Sequence, residues 1–253
     1  MMEELLPDSV VTVEAFGDSR PEGATLYPEE EALVARAVEK RRREFTTVRA
    51  CARVAMEKLG VAPQPVLRGA FGAPRWPDGL IGSMTHCLGY GAAALARVGD
   101  LASIGIDAEP HEKLPDDDLG AVILATEADR LAGLAAEHPS VYWERVLFSA
   151  KESVYKAWFP LTGQWLDFSE ADIELFVDTD TDTDTDTDAD TDRDAEADAD
   201  ADPAAKGEVR SGRFRAELLV PGPLVGGARV GFFDGRWTVQ GSLLATVVTV
   251  PHA

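Results

Sequence analysis

Two short strings of this chain concentrate side chains suited to phosphate chemistry. The first is GIDAE, Gly105 to Glu109, inside a segment, Leu101 to Ala108, that reads as a buried strand. Side chains alternate across a strand, so Gly105, Asp107 and Glu109 share one face while Ile104, Ile106 and Ala108 take the other, and Pro110 ends the run. The second string is FSAKESVYKAW, Phe148 to Trp158. Around it Trp143, Val146, Leu147, Ala150, Val154, Ala157 and Trp158 recur at helical spacing, which leaves Arg145, Ser149, Glu152 and Lys156 on the opposite face. Hard cations such as Mg²⁺ take oxygen ligands and sit between carboxylates and the phosphates of a substrate. Asp107, Glu109 and Glu152 would supply that shell, with Lys151 and Lys156 as point charges for phosphate oxygens.

Flanking elements must hold these groups in place. Pro28 followed by Glu29, Glu30 and Glu31 predicts a helix start running through about Arg43. A second helix follows, with the stripe Val48, Cys51, Ala52, Ala55, Met56 and Leu59, Thr46 or Thr47 as its cap and Gly60 as its stop. Strands are expected near Val66 to Leu67, Ile81 to Met84, Tyr90 to Val98 and Leu101 to Ala108. More are expected around Asp172 to Val177, Gly212 to Val220, Ala228 to Phe233 and Arg236 to Val250. The helix bearing the second string should run from Pro139 to Trp158 with Ser140 as cap. The alternative, a capping box from Ser149 to Glu152, conflicts with an apolar stripe that continues through Ser149. Glu152 is then free to face a metal, with Lys156 one turn on to help hold it ionised. For Glu127, in ATEADR, a capping box is a poor explanation because Thr126 directly precedes it; a solvent-facing helix position is the plain alternative to a site role.

The two strings resemble the signatures of the Sfp-type 4′-phosphopantetheinyl transferases, a G-[IV]-D-x-E strand and, further on, a [FW]-[ST]-x-K-E-[AS]-x-x-K-A helix. Upstream, RREFTTVRACAR (Arg42 to Arg53) and GAPRWPDGLIGSMTH (Gly72 to His86) are similar to the enterobactin-synthase type within that family. The likeness spans Arg42 to Phe168, about half the chain. It implies an α+β fold of two similar α/β halves related by a pseudo-twofold axis, residues 1–100 carrying the coenzyme A-contacting segments and 101–253 the metal site. It implies transfer of 4′-phosphopantetheine from coenzyme A to a serine of an apo acyl or peptidyl carrier protein, with Mg²⁺ on Asp107, Glu109 and Glu152. Asp107, Glu152 and Lys156 would be the catalytic residues, and Glu152, Glu127 or a water the general base. Arg49, Arg53, Arg75, Ser83, Thr85, His86, Lys151 and Lys156 would contact coenzyme A. Arg36, Lys40, Arg41, Arg42, Arg43, Arg49 and Arg53 lie within eighteen residues, and of this basic run Arg36 and Lys40 read as a solvated helix face. The RREF and GSMTH strings lean towards siderophore, nonribosomal peptide or polyketide synthesis.

Composition narrows the classes. With 253 residues, 45% of them hydrophobic, the chain can bury a real core. The net charge is −21, but residues 178–202 hold twelve Asp and one Glu against one Arg, a net of −12, which leaves −9 for the rest. That run has no apolar side chain larger than alanine and repels itself, so it is expected to be a disordered insert. It lacks the glycine-punctuated loops of a calcium site. A pI near 4.5 argues against nucleic acid, which needs an extended basic surface. No apolar run reaches a membrane span and the amino terminus has no secretory pattern, so a cytoplasmic, monomeric protein with reduced Cys51 and Cys87 is expected. Two rivals remain from other classes. One is a coenzyme A-binding homologue without transfer activity, against which the complete set of three acids and two lysines speaks. The other is a pyrophosphohydrolase, which would not need the basic and GSMTH strings.

Overall fold

The first half is built on a central antiparallel sheet. In the computed structural model, which describes residues 1–17, 21, 24–178 and 211–252, the elements up to the first string are β1 (Val11–Phe16), α1 (Pro28–Val34), α2 (Glu39–Lys58), β2 (Leu67–Arg68), β3 (Pro74–Arg75), β4 (Leu80–Cys87), β5 (Tyr90–Arg97) and β6 (Ser103–Pro110). After it come α3 (Asp116–Val122), α4 (Ala125–Glu137), α5 (Trp143–Thr162), β7 (Ala171–Val177), β8 (Ser211–Leu218), β9 (Leu224–Val225), β10 (Ala228–Arg229), β11 (Phe232–Gln240) and β12 (Leu243–Val250). Three strands pair in the order β1-β5-β4 and five in the order β6-β12-β11-β8-β7, all antiparallel; β2-β3 and β9-β10 are short ribbons. The result is a mixed α/β architecture.

Each sheet is covered by one long helix. Cys51, Ala52, Ala55 and Met56 of α2 pack with Ala93 and Leu95 of β5. On the other sheet the predicted stripe of α5, from Trp143 to Trp158, packs on Ile173, Phe214, Trp237 and Val248. A third apolar layer joins the two sheets: Ile104, Ile106 and Ala108 meet Ala92, Ala94 and Ala96 from one side and Ala245 and Val247 from the other. The opposite face of β6 receives α5. There a Cβ on Gly105 would lie 1.9 Å from the Ser153 carbonyl oxygen, so only glycine lets the helix approach this closely.

Side chains take over from backbone where the sheets meet. The N–H of Ile106 donates to Ser83 Oγ and that of Ala108 to Thr85 Oγ1, both at 3.1 Å. Both contacts advance together along the chain, so β4 and β6 run in the same direction, joined by hydroxyls. The edge amides of β6 are thereby satisfied.

Three local expectations are corrected. The helix expected from Pro28 to Arg43 ends at Val34, and Val38, in an extended conformation (ψ 156°), starts a new helix at Glu39 that continues to Lys58. Thr46 and Thr47 are consequently interior, donating to the carbonyls of Arg42 and Arg43 four residues back. Gly60 does end that helix, at φ 72°. Finally, α5 starts at Trp143 without Ser140 as cap. The Asp/Thr-rich insert lies outside the described residues apart from Asp178. No helix among the described residues is long and apolar enough to cross a membrane.

Candidate active site

The polar stripe of α5 lies along β6. Positions 145, 149, 152 and 156 are spaced to form one face, and three of them bond the two acids of GIDAE. Lys156 Nζ donates to Asp107 Oδ1 at 2.7 Å and to the Ile106 carbonyl at 3.1 Å. Ser149 Oγ donates to Asp107 Oδ2 at 2.8 Å, and Arg145 to Glu109 Oε2 at 3.2 Å. Arg145 also donates to the carbonyls of Glu112 and Lys113, fixing the chain just beyond β6.

Negative charge is crowded here. Burial and the neighbouring Asp107 push the Glu109 carboxyl up to about 7, against Arg145 and Lys156. Burial also raises Glu152, with Lys156 opposing and Asp107 adding. For Lys156, burial works against the charged form, yet Asp107 and Glu152 outweigh it and hold the ammonium above its ordinary value. Among the described residues no three His, Cys, Asp or Glu side chains gather into a metal cluster. The donor set nevertheless suits Mg²⁺, which is commonly held by one or two carboxylates plus substrate phosphates. A cation bound among them would offset the burial that disfavours the charged forms of Glu109 and Glu152.

Beside the acids opens a cavity of about 640 Å³. Its cations are Arg41, Arg49, Arg68, Arg75 and Lys156, joined by His86, with Glu152 as its acid. Phe45, Phe71, Trp76, Tyr155 and Phe159 supply apolar wall. Arg49 is buried, its guanidinium stacked on Phe45 and its Nε donating to the Val66 carbonyl at 3.2 Å. Burial draws its pKa below the ordinary value, Glu30 opposes, and Arg68 and Arg41 add to the depression. His86 Nε2 accepts from Arg41, since an arginine can only donate, so the imidazole is neutral. Burial and Arg41 lower its pKa accordingly. A cluster of like charges lining a cavity favours a polyanion, and the aromatic wall favours a ligand that also carries apolar or ring surface.

Several expected contacts fall elsewhere. Lys151 is not among the cavity residues; its Nζ is 2.8 Å from Glu127 Oε2 and donates to the Phe168 carbonyl, in a buried pair. Glu127 is buried and not among the cavity residues: it accepts from the N–H groups of Leu124 and Ile173. The capping role thought unsuitable for it is the one it plays, because the glutamate reaches back to the N–H at the start of α4 without needing a Ser or Thr there. Arg53 turns from the cavity to the buried Glu30 and the Thr25 carbonyl. Thr85 is buried against Asp107 and β6, and Ser83 borders the cavity while its oxygen serves the seam between the sheets. Arg41, Arg68, Phe45 and Tyr155 are cavity residues that the sequence did not single out; Arg41 stood within the basic run, whereas Arg68 gave no spacing signal.

A cationic cavity bordered by Glu152 and Lys156, with Asp107 bonded to that lysine, suits the binding of a phosphate ester. Family comparison agrees. Residues 29–96 match the model described as 4′-phosphopantetheinyl transferase N-terminal domain, and residues 103–203 that of the 4′-phosphopantetheinyl transferase superfamily. The chain is 50% identical over 251 residues to 4′-phosphopantetheinyl transferase Svp of Streptomyces mobaraensis, covering 99% of this chain and 89% of the relative. It is 40% identical over 253 residues to 4′-phosphopantetheinyl transferase PptT of Mycobacterium tuberculosis, covering 99% and 98%. The chain belongs to the 4′-phosphopantetheinyl transferase superfamily and is a transferase of that kind. Likeness to enterobactin synthase component D of Salmonella typhi is more distant, 32% over 120 residues and 47% of this chain.

Proposed function

We propose that the protein moves 4′-phosphopantetheine from coenzyme A to a serine hydroxyl of an apo acyl or peptidyl carrier protein and releases adenosine 3′,5′-bisphosphate, with Mg²⁺ as cofactor. The observation that supports this most is the cavity itself, where Arg41, Arg49, Arg68 and Arg75 face a space closed by Glu152 and Lys156. Coenzyme A carries a pyrophosphate, a 3′-phosphate and an adenine, which match a wall of arginines and aromatic rings.

The serine oxygen attacks the phosphorus attached to the pantetheine arm, and the bond to the departing adenosine-side phosphate breaks. When bound at Asp107, Glu109 and Glu152, Mg²⁺ would supply positive charge at the pyrophosphate oxygens. Lys156, fixed by Asp107, adds a second charge beside the leaving phosphate. Glu152, or a water held near it, would take the serine proton, since a serine hydroxyl is a weak nucleophile without a nearby base. Arg41, steadied by its hydrogen bond to His86, holds a phosphate by donated hydrogen bonds, while Arg49 and Arg68 orient the rest of the nucleotide. Residues 1–100 supply most of the nucleotide wall and 101–253 the acids, which suits two related halves meeting at the site. We place the enzyme in the cytoplasm as a monomer, serving siderophore, nonribosomal peptide or polyketide carriers.

Incubating the protein with coenzyme A, Mg²⁺ and an apo carrier domain tests this. One phosphopantetheine mass should appear on the carrier, EDTA should prevent it, and a Ser→Ala carrier should stay unmodified. Coenzyme A binding without mass transfer to any of several carriers would leave the binding homologue in its place; cleavage without a carrier would leave a hydrolase.

A further inference from the structure

Asp107 is held by more than its lysine. Its Oδ1 accepts from Lys156 Nζ at 2.7 Å and from Thr85 Oγ1 at 3.2 Å, and its Oδ2 from Ser149 Oγ at 2.8 Å. Behind Ser149 stands Thr246 of β12, whose hydroxyl is 2.8 Å from the Ser149 carbonyl and 3.0 Å from Ser149 Oγ. Ser149 and Thr246 are fully buried, and Thr85 and Asp107 nearly so.

Counting protons fixes the direction of the bonds to Asp107. A carboxylate only accepts, so Ser149 must spend its single hydroxyl proton on Asp107. Thr246 is therefore the donor to Ser149, whether to the carbonyl or to Oγ. Thr85 repeats the pattern on the other side: its oxygen accepts the Ala108 N–H, and its proton goes to Asp107. An ionised carboxylate offers about four lone-pair directions. Both on Oδ1 are filled by Lys156 and Thr85, and one on Oδ2 by Ser149.

We infer that Thr246, Ser149 and Thr85 form a hydroxyl cradle that fixes the orientation of Asp107 as a ligand for the cation, leaving Oδ2 with fewer protein partners than Oδ1. Thr246 is thus a positioning residue for the metal site, although it lies outside both matched segments and 97 residues from Ser149. The inference rests on Asp107 being a metal ligand.

Mn²⁺ binding followed by electron paramagnetic resonance, without coenzyme A or carrier, tests it on the full chain. Thr246→Val, which removes the hydroxyl at nearly constant shape, should weaken Mn²⁺ binding roughly tenfold, as loss of a partner behind a metal ligand commonly does. Its turnover should fall by a similar factor with the KM for coenzyme A within about twofold. Thr246→Ser, which keeps the donor, should restore both. If Thr246→Val loses its native circular dichroism spectrum, Ser149→Ala carries the same expectations. Wild-type binding in these variants, alongside Asp107→Ala that does not bind, would overturn the cradle while sparing the metal site. Wild-type protein that binds no Mn²⁺, or Asp107→Ala that binds normally, would overturn the metal reading and the cradle with it.

Discussion

Gly105 and Ser153 are in direct backbone contact: the α-carbon of one faces the carbonyl of the other so closely that an added methyl would stand 1.9 Å from that oxygen. The acids and the polar stripe meet because of this contact. Gly105→Ala cannot be absorbed by a side-chain rotation, since both partners are backbone, and should cost about 3 kcal/mol or more as an overpacked site. A thermal midpoint within a degree or two of wild type would show that the helix does not seat here.

The two lysines of the second string should separate cleanly. Lys151→Met leaves Glu127 buried without its counterion and should destabilise by roughly 3–5 kcal/mol. In the surviving folded fraction at low temperature, KM for coenzyme A should be near normal. Lys156→Ala should chiefly cost turnover, by about 100-fold, with a smaller loss of midpoint because Thr85 and Ser149 still donate to Asp107. Equal effects of both on turnover per folded molecule would return Lys151 to the site.

Arg41 and Arg53 make a similar contrast. Arg41→Ala removes a cavity cation and should raise KM for coenzyme A by about tenfold, the scale of a hydrogen bond to a charged group. Arg53→Ala should lower the thermal midpoint by weakening the hold on buried Glu30, with KM within about twofold. A large KM effect from Arg53 would mean that its guanidinium swings into the cavity when substrate binds.

Both cysteines should be slow to react. Burial pushes the Cys51 thiol up to about 11 and, with Glu109 and Asp107 adding, the Cys87 thiol up to about 12. A raised thiol pKa means that the thiolate is scarce below it, so at pH 8 disulfide-exchange reagents should label neither at an appreciable rate until the protein is unfolded. Fast labelling of one thiol in native protein would show that its surroundings open to solvent.

The site's acids were legible in the sequence because alternation and helical periodicity are local. GIDAE put Asp107 and Glu109 on one face, and the stripe of α5 left Arg145, Ser149, Glu152 and Lys156 together. What periodicity could not reveal was the partner of each charge. Lys151 sits one position from Glu152 and therefore points about 100° away around the helix, into a pair with Glu127 that only the packing of α4 creates. Arg53 and Arg49 share a helix face and Glu30, distant in sequence, lies against both, yet only Arg49 lines the cavity. The break between Val34 and Glu39 was hidden because nothing in that stretch is a strong breaker. Thr246 lay in a plain β-run where no spacing marks it.

The hydroxyl joint between the sheets has a dynamic consequence. A strand edge closed by a backbone ladder opens only when several bonds break together, whereas the amides of Ile106 and Ala108 are released when single serine and threonine side chains rotate. Amide exchange at these two positions therefore reports the coupling of the sheets apart from unfolding of either. Because Ser83 also borders the cavity, coenzyme A bound there should restrain that rotation and slow exchange at the Ile106 amide.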